Sequence, residues 1–244
     1  MTTLRTLAVL SAAVALSACQ KVDDAAFGQR VHAYLMAHPE VIREAAQKLQ
    51  ENEQAAAAKA STQAIGKYRE QLERDPRDIV INPNGKLTVV EFFDYRCGYC
   101  KLAAPEVVKL IQQNPDIRFV FKQFPIFGEV SDTAAKVALT PAAKPKALQL
   151  YQSWMAEKAL DDTLLDRDLT VAGVDAAQAR KASNDPAIER QILDTRALAT
   201  SLKIEGTPAF IVGDTMIPGA DMNALRAAIA AARSGVAAAP KTAS

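Results

Sequence analysis

Residues 87–101 read Leu87-Thr88-Val89-Val90-Glu91-Phe92-Phe93-Asp94-Tyr95-Arg96-Cys97-Gly98-Tyr99-Cys100-Lys101. The first seven are rich in β-branched and aromatic residues and predict a buried strand. Asp94-Tyr95-Arg96 leads out of it into Cys97-x-x-Cys100, and Lys101 to Gln113 then reads as a helix stopped by Asn114-Pro115. Ile117 to Phe124 (IRFVFKQF) is a second strand. Strand, helix and strand make a βαβ unit, so the body is α/β with two cysteines at a strand-to-helix junction.

That position gives the cysteines chemistry. Two thiols three residues apart in a first helical turn reach one another, the first pointing outward and the second covered by the helix. Backbone N–H groups and the helix dipole stabilise a thiolate there, lowering the first thiol from its free value of about 8.5. Arg96 is a candidate to add to this. The thiolate forms a mixed disulfide that the second cysteine resolves. Competing readings fit less well. Structural zinc wants four ligands and there is no second CxxC or His pair. Haem attachment wants His where this chain has Lys101, and a disulfide closing so short a loop contributes little stability.

Working outward, Ser131 to about Lys203 is helical in pattern, broken at Pro141, Pro145, Gly173 and Pro186, and reads as a subdomain inserted into the α/β body. Ala209–Val212 and Thr215–Ile217 form a hairpin across Gly213-Asp214, and Met222 to Arg233 is a closing helix capped by Asp221. The body spans 78–234 and the insertion 131–203; residues 235–244 are an Ala-rich flexible tail. Upstream, 20–77 is a helical arm. A polar tether from Gln20 to Asp24 precedes Phe27, Val31, Tyr34 and Leu35 at helical spacing, and a second helix runs from Pro39 to about Arg74. Its Ile42, Ala45, Leu49, Ala56, Ile65, Tyr68 and Leu72 make a thin seam that packs on the body or on copies of itself; a solvated spacer helix is the alternative. His32 and His38 lie in this arm with no ligand cluster around them and read as structural or solvent-facing.

The first 18 residues carry one charge, Arg5, and a mostly apolar core of roughly a dozen residues, the size of a signal peptide rather than a permanent anchor. They end in Leu16-Ser17-Ala18-Cys19, a lipobox that predicts cleavage before Cys19 and lipidation of its thiol; ordinary cleavage after Ser17 is the alternative. Gln20 in place of aspartate favours the outer over the inner membrane. With Cys19 lipidated, Cys97 and Cys100 remain as a matched pair in an oxidising compartment. Over 244 residues the formal charge is +1, so there is no basic excess to hold nucleic acid. Three cysteines cannot staple a disulfide scaffold, and two histidines restrict metal sites.

The stretch Glu91 to Lys101, with Gly206-Thr207-Pro208-Ala209-Phe210, resembles the DsbA family of thioredoxin-fold proteins, and the helical insertion matches that architecture. The arm, Phe27 to Glu51, is similar to the N-terminal region of suppressor-of-copper-sensitivity protein C (ScsC) and its relatives. The resemblance implies a thioredoxin fold with an inserted helical subdomain behind an N-terminal oligomerisation arm, and a thiol-disulfide oxidoreductase of the periplasm. Cys97 would be the nucleophile and Cys100 the resolving thiol, with no cofactor beyond their redox-active disulfide. Pro208 would be a cis-proline opposite the pair, with Thr207 and Tyr99 meeting substrate. Glu91 matches an acid beneath the active site that assists proton transfer at Cys100 if buried; a strand-end carboxylate facing water is the alternative.

The strong oxidases of the family carry Pro-His between the cysteines, where this chain has Gly98-Tyr99. A tyrosine is neutral near pH 7 and cannot hold a thiolate by charge, which predicts a less oxidising pair suited to isomerising or reducing wrong disulfides. The expected partners are misoxidised exported proteins, a membrane redox partner (a reductase over an oxidase) and further copies of the chain as dimers or trimers. A net dithiol oxidase and a Cu(I)-binding copper-tolerance protein are the other readings.

Overall fold

The computed structural model describes residues 24–235. The signal segment, the lipobox with Cys19, and residues 236–244 of the tail lie outside the described residues. No helix among those described is long and apolar enough to cross a membrane. The chain falls into two compact units that divide between Ala55 and Ala56.

The first unit holds α1 (Asp24–Ala37) and the beginning of α2 (Glu40–Lys67). Phe27, Val31, Tyr34, Ile42 and Leu49 are exposed in it, as are His32 and His38. The remainder of α2 belongs to the second unit, where Ile65 is fully buried. The single helix expected up to Arg74 is interrupted at Tyr68, and α3 (Arg69–Glu73) follows as a separate turn carrying the buried Leu72. Gly66 weakens the helix just ahead of that break.

Ile65 and Leu72 are buried because the sheet needs them. Strand β1 (Ile79–Ile81) precedes β2 (Leu87–Phe93), α4 (Gly98–Gln113) and β3 (Ile117–Gln123). The insertion follows as α5 (Glu129–Ala138), a 3-10 turn at Lys144–Lys146, α6 (Ala147–Ala156), α7 (Asp162–Val171), α8 (Ala176–Ala182) and α9 (Pro186–Ser201). The hairpin β4 (Ala209–Val212) and β5 (Thr215–Pro218) and the helix α10 (Met222–Arg233) close the fold. Asp221 caps α10 by accepting from the Ala224 N–H at 2.8 Å. The strand order is β1-β3-β2-β4-β5, with β2 parallel to β3 and antiparallel to β4. Strand β1, which sequence periodicity did not reveal, adds three residues antiparallel to β3.

Central β2 is buried on both faces, and its alternation divides the core in two. Val89 and Phe93 point with Phe119, Phe121 and Phe210 toward α4, α6 and α10. Val90 and Phe92 point with Val120 and Ile211 toward Ile65, Leu72 and the end of α9. The turn Asn82–Gly85 sets the start of β2 so closely on the next strand that a Cβ on Gly85 would lie 2.4 Å from the Arg118 nitrogen.

Candidate active site

Strand β2 ends at Phe93, and Asp94 converts that end into a fixed loop. Its buried carboxylate accepts from the Arg96 N–H at 2.6 Å, the Ile126 and Phe127 N–H groups at 2.7 and 3.0 Å, and the Ser131 hydroxyl at 2.8 Å. One carboxylate thereby ties the run into Cys97 to the loop after β3. Four donors on one buried acid make a rigid mount. Asp94 was not singled out in the sequence, because three of its four partners lie more than thirty residues away.

Cys97 is the N-cap of α4, and the Cys100 N–H donates to its Sγ at 3.4 Å. Both thiols are free. The outward-facing first cysteine expected from the sequence is corrected: Cys97 is only 2 % exposed, against 0 % for Cys100. Its cover includes the Thr207–Pro208 loop, whose peptide bond is cis, and its thiol donates to the Thr207 carbonyl at 3.1 Å. The Thr207 hydroxyl is buried with no hydrogen-bond partner. Tyr99 and Leu102, on the first turns of α4, and Ile126 and Phe127, on the loop that Asp94 holds, are exposed apolar side chains.

The two thiols are driven in opposite directions. Donation from the Cys100 thiol leads, opposed by burial and helped by the N–H groups of Cys100 and Tyr99, and Cys97 is pulled down to about 6. Burial, the hydrogen bond to Cys97 and the charge of Glu91 push Cys100 well above the ordinary thiol range. One sulfur is therefore a ready nucleophile, while the other keeps its proton until a base removes it. Arg96, a candidate from sequence, is engaged elsewhere. Its guanidinium donates to the Phe127 carbonyl at 2.9 Å, and it is not among the largest influences on Cys97.

Glu91 sits on the α4 side of β2, wholly buried. A carboxylate facing water is thus ruled out. Burial pushes its pKa up to about 8, opposed by a hydrogen bond from Tyr151. The Tyr151 hydroxyl lies 3.2 and 3.3 Å from the two carboxyl oxygens. Tyr151 comes from α6 in the insertion, and nothing in the sequence connects it with Glu91. Phe92, Phe93 and Trp154 are core residues. No cluster of three or more His, Cys, Asp or Glu placed to hold a metal occurs among the described residues.

Comparison with known proteins agrees with this geometry. Residues 88–230 match the DSBA-like thioredoxin domain, and residues 23–56 match the copper resistance protein ScsC N-terminal domain. A thiol:disulfide interchange protein DsbA of Bordetella pertussis is 28% identical over 136 residues, covering 53% of this chain and 64% of that protein. The chain thus spans less than two thirds of the length of such curated relatives. Among solved structures, Salmonella enterica Typhimurium BcfH superposes with a TM-score of 0.69 at 35% identity, covering 85% of this chain and 94% of that one. A linker-deletion mutant of Proteus mirabilis ScsC gives 0.67 at 26%, covering 91% and 100%.

Proposed function

The chain belongs to the DSBA-like thioredoxin-domain family, with an ScsC-type N-terminal region, and on that premise we propose that it is a thiol-disulfide oxidoreductase of the periplasm, acting as an isomerase and reductase of wrongly paired disulfides in exported proteins. The Cys97 thiolate attacks one sulfur of a client disulfide. That S–S bond breaks, a Cys97–client mixed disulfide forms, and the other client sulfur leaves as a thiolate. In isomerisation this thiolate attacks a different client sulfur, and the last displacement returns Cys97 as a thiolate with no net electron transfer. In reduction Cys100 gives its proton to the Glu91 carboxylate and its sulfur attacks Cys97 Sγ. The client then leaves reduced by two electrons, and a membrane dithiol donor must reduce the Cys97–Cys100 disulfide afterwards. The exposed Tyr99, with Thr207 and Pro208 opposite, offers the client an apolar and backbone surface. No cofactor beyond the cysteine pair is required.

One observation carries the choice of isomerase over oxidase. The groups that do most to lower the Cys97 sulfur are neutral hydrogen-bond donors. A thiolate stabilised this moderately makes the reduced form less favoured than a charge-stabilised one, and the disulfide a weaker oxidant. The exposed apolar residues of α1 and α2 supply a means of association into dimers or trimers that hold several sites around one client. The periplasm follows from the ScsC match and from the resemblance to a periplasmic thioredoxin-like protein of Salmonella enterica serovar Typhimurium. Anchoring through a lipidated Cys19, at the outer membrane, belongs to the same proposal.

The test is reactivation of a scrambled-disulfide enzyme by residues 20–244, beside a version beginning at Ala56 that retains Ile65 and Leu72. Strong reactivation that collapses on shortening is expected. Poor reactivation from both, with rapid oxidation of a reduced substrate, makes the protein a net dithiol oxidase instead. A second reading, Cu(I) binding by the two soft thiolates, draws on the ScsC match of the arm. Unchanged Cu(I) affinity in Cys97→Ser would exclude the pair as that site.

A further inference from the structure

The geometry points to Tyr151 as a positioning residue that holds Glu91 ready to take the Cys100 proton, so that the helical insertion supplies a working part of the redox centre. The inference rests on the reading of Glu91 as the base for Cys100 and adds the group that makes an ionised Glu91 tolerable. A carboxylate buried in an apolar core without a cation is costly, and a hydrogen bond aimed at it is the chief means of relief. Tyr151 is the side chain in that role. It is 1 % exposed and lies within 3.3 Å of both carboxyl oxygens, so it can follow the charge to either one.

The ring has little freedom to do otherwise. It packs against Phe93 with centroids 5.2 Å apart and against Phe121 at 4.9 Å, while Tyr95 lies 6.5 Å away and itself meets Trp154 at 4.9 Å. Helix α6 is also latched directly to the active-site helix. The Lys101 ammonium, one residue beyond Cys100, donates to the Trp154 and Glu157 carbonyls at the end of α6, at 3.1 and 2.6 Å. Such donation by a cation to terminal carbonyls fixes the helix end. The titratable groups that act on Glu91 or respond to it are Cys97 and Cys100 of α4, Tyr95 after β2, and Tyr151 of α6. The flanking strands present Phe121 and Phe210 across the ladder. Tyr151 is the hydroxyl donor in this set that reaches Glu91.

In the step concerned, the Cys100 proton passes to Glu91, the Cys100 sulfur bonds to Cys97 Sγ, the Cys97–client S–S bond breaks, and the client departs as a thiolate. Tyr151 keeps its own proton throughout.

The experiment measures release of a client peptide thiol from a preformed Cys97 mixed disulfide between pH 5 and 10, in the full chain. In Tyr151→Phe the rising limb of the profile should move up by about one pH unit, roughly tenfold slower release at neutral pH, as expected for one lost hydrogen bond to a charged group. The Cys97 thiolate titration, read by ultraviolet absorbance, should stay in place. In a Glu91→Gln background the same change should have no further effect on the rate. If the phenylalanine variant does not fold, 3,5-difluorotyrosine at 151 keeps the shape with a stronger donor and should move the limb down. A limb that does not move while Glu91→Gln slows release overturns the role of Tyr151 alone, as does equal slowing in both backgrounds. Unchanged release in Glu91→Gln overturns the reading of Glu91 on which this inference rests.

Discussion

Two buried ionisable side chains stand on neighbouring strands and opposite faces of one sheet, and they have opposite fates. Glu91 of β2 faces α4 and α6 with a tyrosine for a partner and no cation. Lys122 of β3, paired across the ladder with Phe92, faces the other way and is 2 % exposed. It meets the Asp78 carboxylate at 2.5 Å and also donates to the Gln71 carbonyl, while Gln191 reaches the second Asp78 oxygen at 3.4 Å. Burial raises the Asp78 pKa and Lys122 opposes it. A buried charge with a matched counter-charge stays charged and pins the elements around it. A buried acid without one becomes neutral near pH 7 and has a proton to exchange. One face is thus arranged for structure and the other for chemistry.

Substitutions should separate the faces cleanly, and the largest effect falls on the redox side. Cys97→Ser removes the nucleophile, and disulfide exchange should fall by roughly a thousandfold or more. Its melting temperature should hold, since serine is a good N-cap for α4. Lys122→Met should do the reverse. It strands Asp78 and should cost about 3–5 kcal/mol in urea unfolding, with exchange per folded molecule unchanged. If Lys122→Met slows exchange as much as Glu91→Gln does, the division between the faces fails.

The next effect is a pH dependence. Glu91 titrates near 8 in the folded protein against an ordinary 4.5. Between those values the folded state keeps a proton that the unfolded chain releases, so stability from this group is present below about 4.5 and lost as pH rises through 8. Each unit of separation corresponds to about 1.4 kcal/mol. Urea unfolding at pH 5, 7 and 9 in a Cys97→Ser background, which removes the opposite contribution of the lowered Cys97 thiol, should show this decline, and adding Glu91→Gln should flatten it. A Cys97→Ser curve that rises with pH would contradict a neutral Glu91.

A smaller contrast lies along α2. Ile65→Ala should cost about 2–5 kcal/mol, because Ile65 fills the second face of the sheet. Leu49→Ala should stay within about 0.5 kcal/mol for the isolated chain, because Leu49 is exposed there. If chains associate through the arm, the cost at Leu49 should grow with protein concentration.

Much of this was legible in the residues because it is local. The run Leu87–Phe93, the stop at Asn114-Pro115 and the Asp221 cap declare themselves within a few positions, and the corresponding elements start or end there. Strand β1 escaped notice because three residues after Asp75-Pro76 carry no period, and only pairing with β3 makes them a strand. In the seam of α2 and α3, Ile42 and Ile65 are the same residue type, and nothing short-range distinguishes the exposed one from the buried one. The need to cover Val90 and Phe92 distinguishes them.

The sequence by itself determined the βαβ order, the inserted helices and a cysteine pair on the first turn of a helix, since period, caps and spacing act over a few residues. Only the tertiary structure decided that Cys97 is sheltered by Thr207, that Arg96 turns away to Phe127, and that Glu91 is buried beneath Tyr151 while Lys122 is paired with Asp78. Each of those depends on groups distant along the chain. A side chain's charge, access and proton affinity are set by what the packed fold leaves within a few ångströms of it.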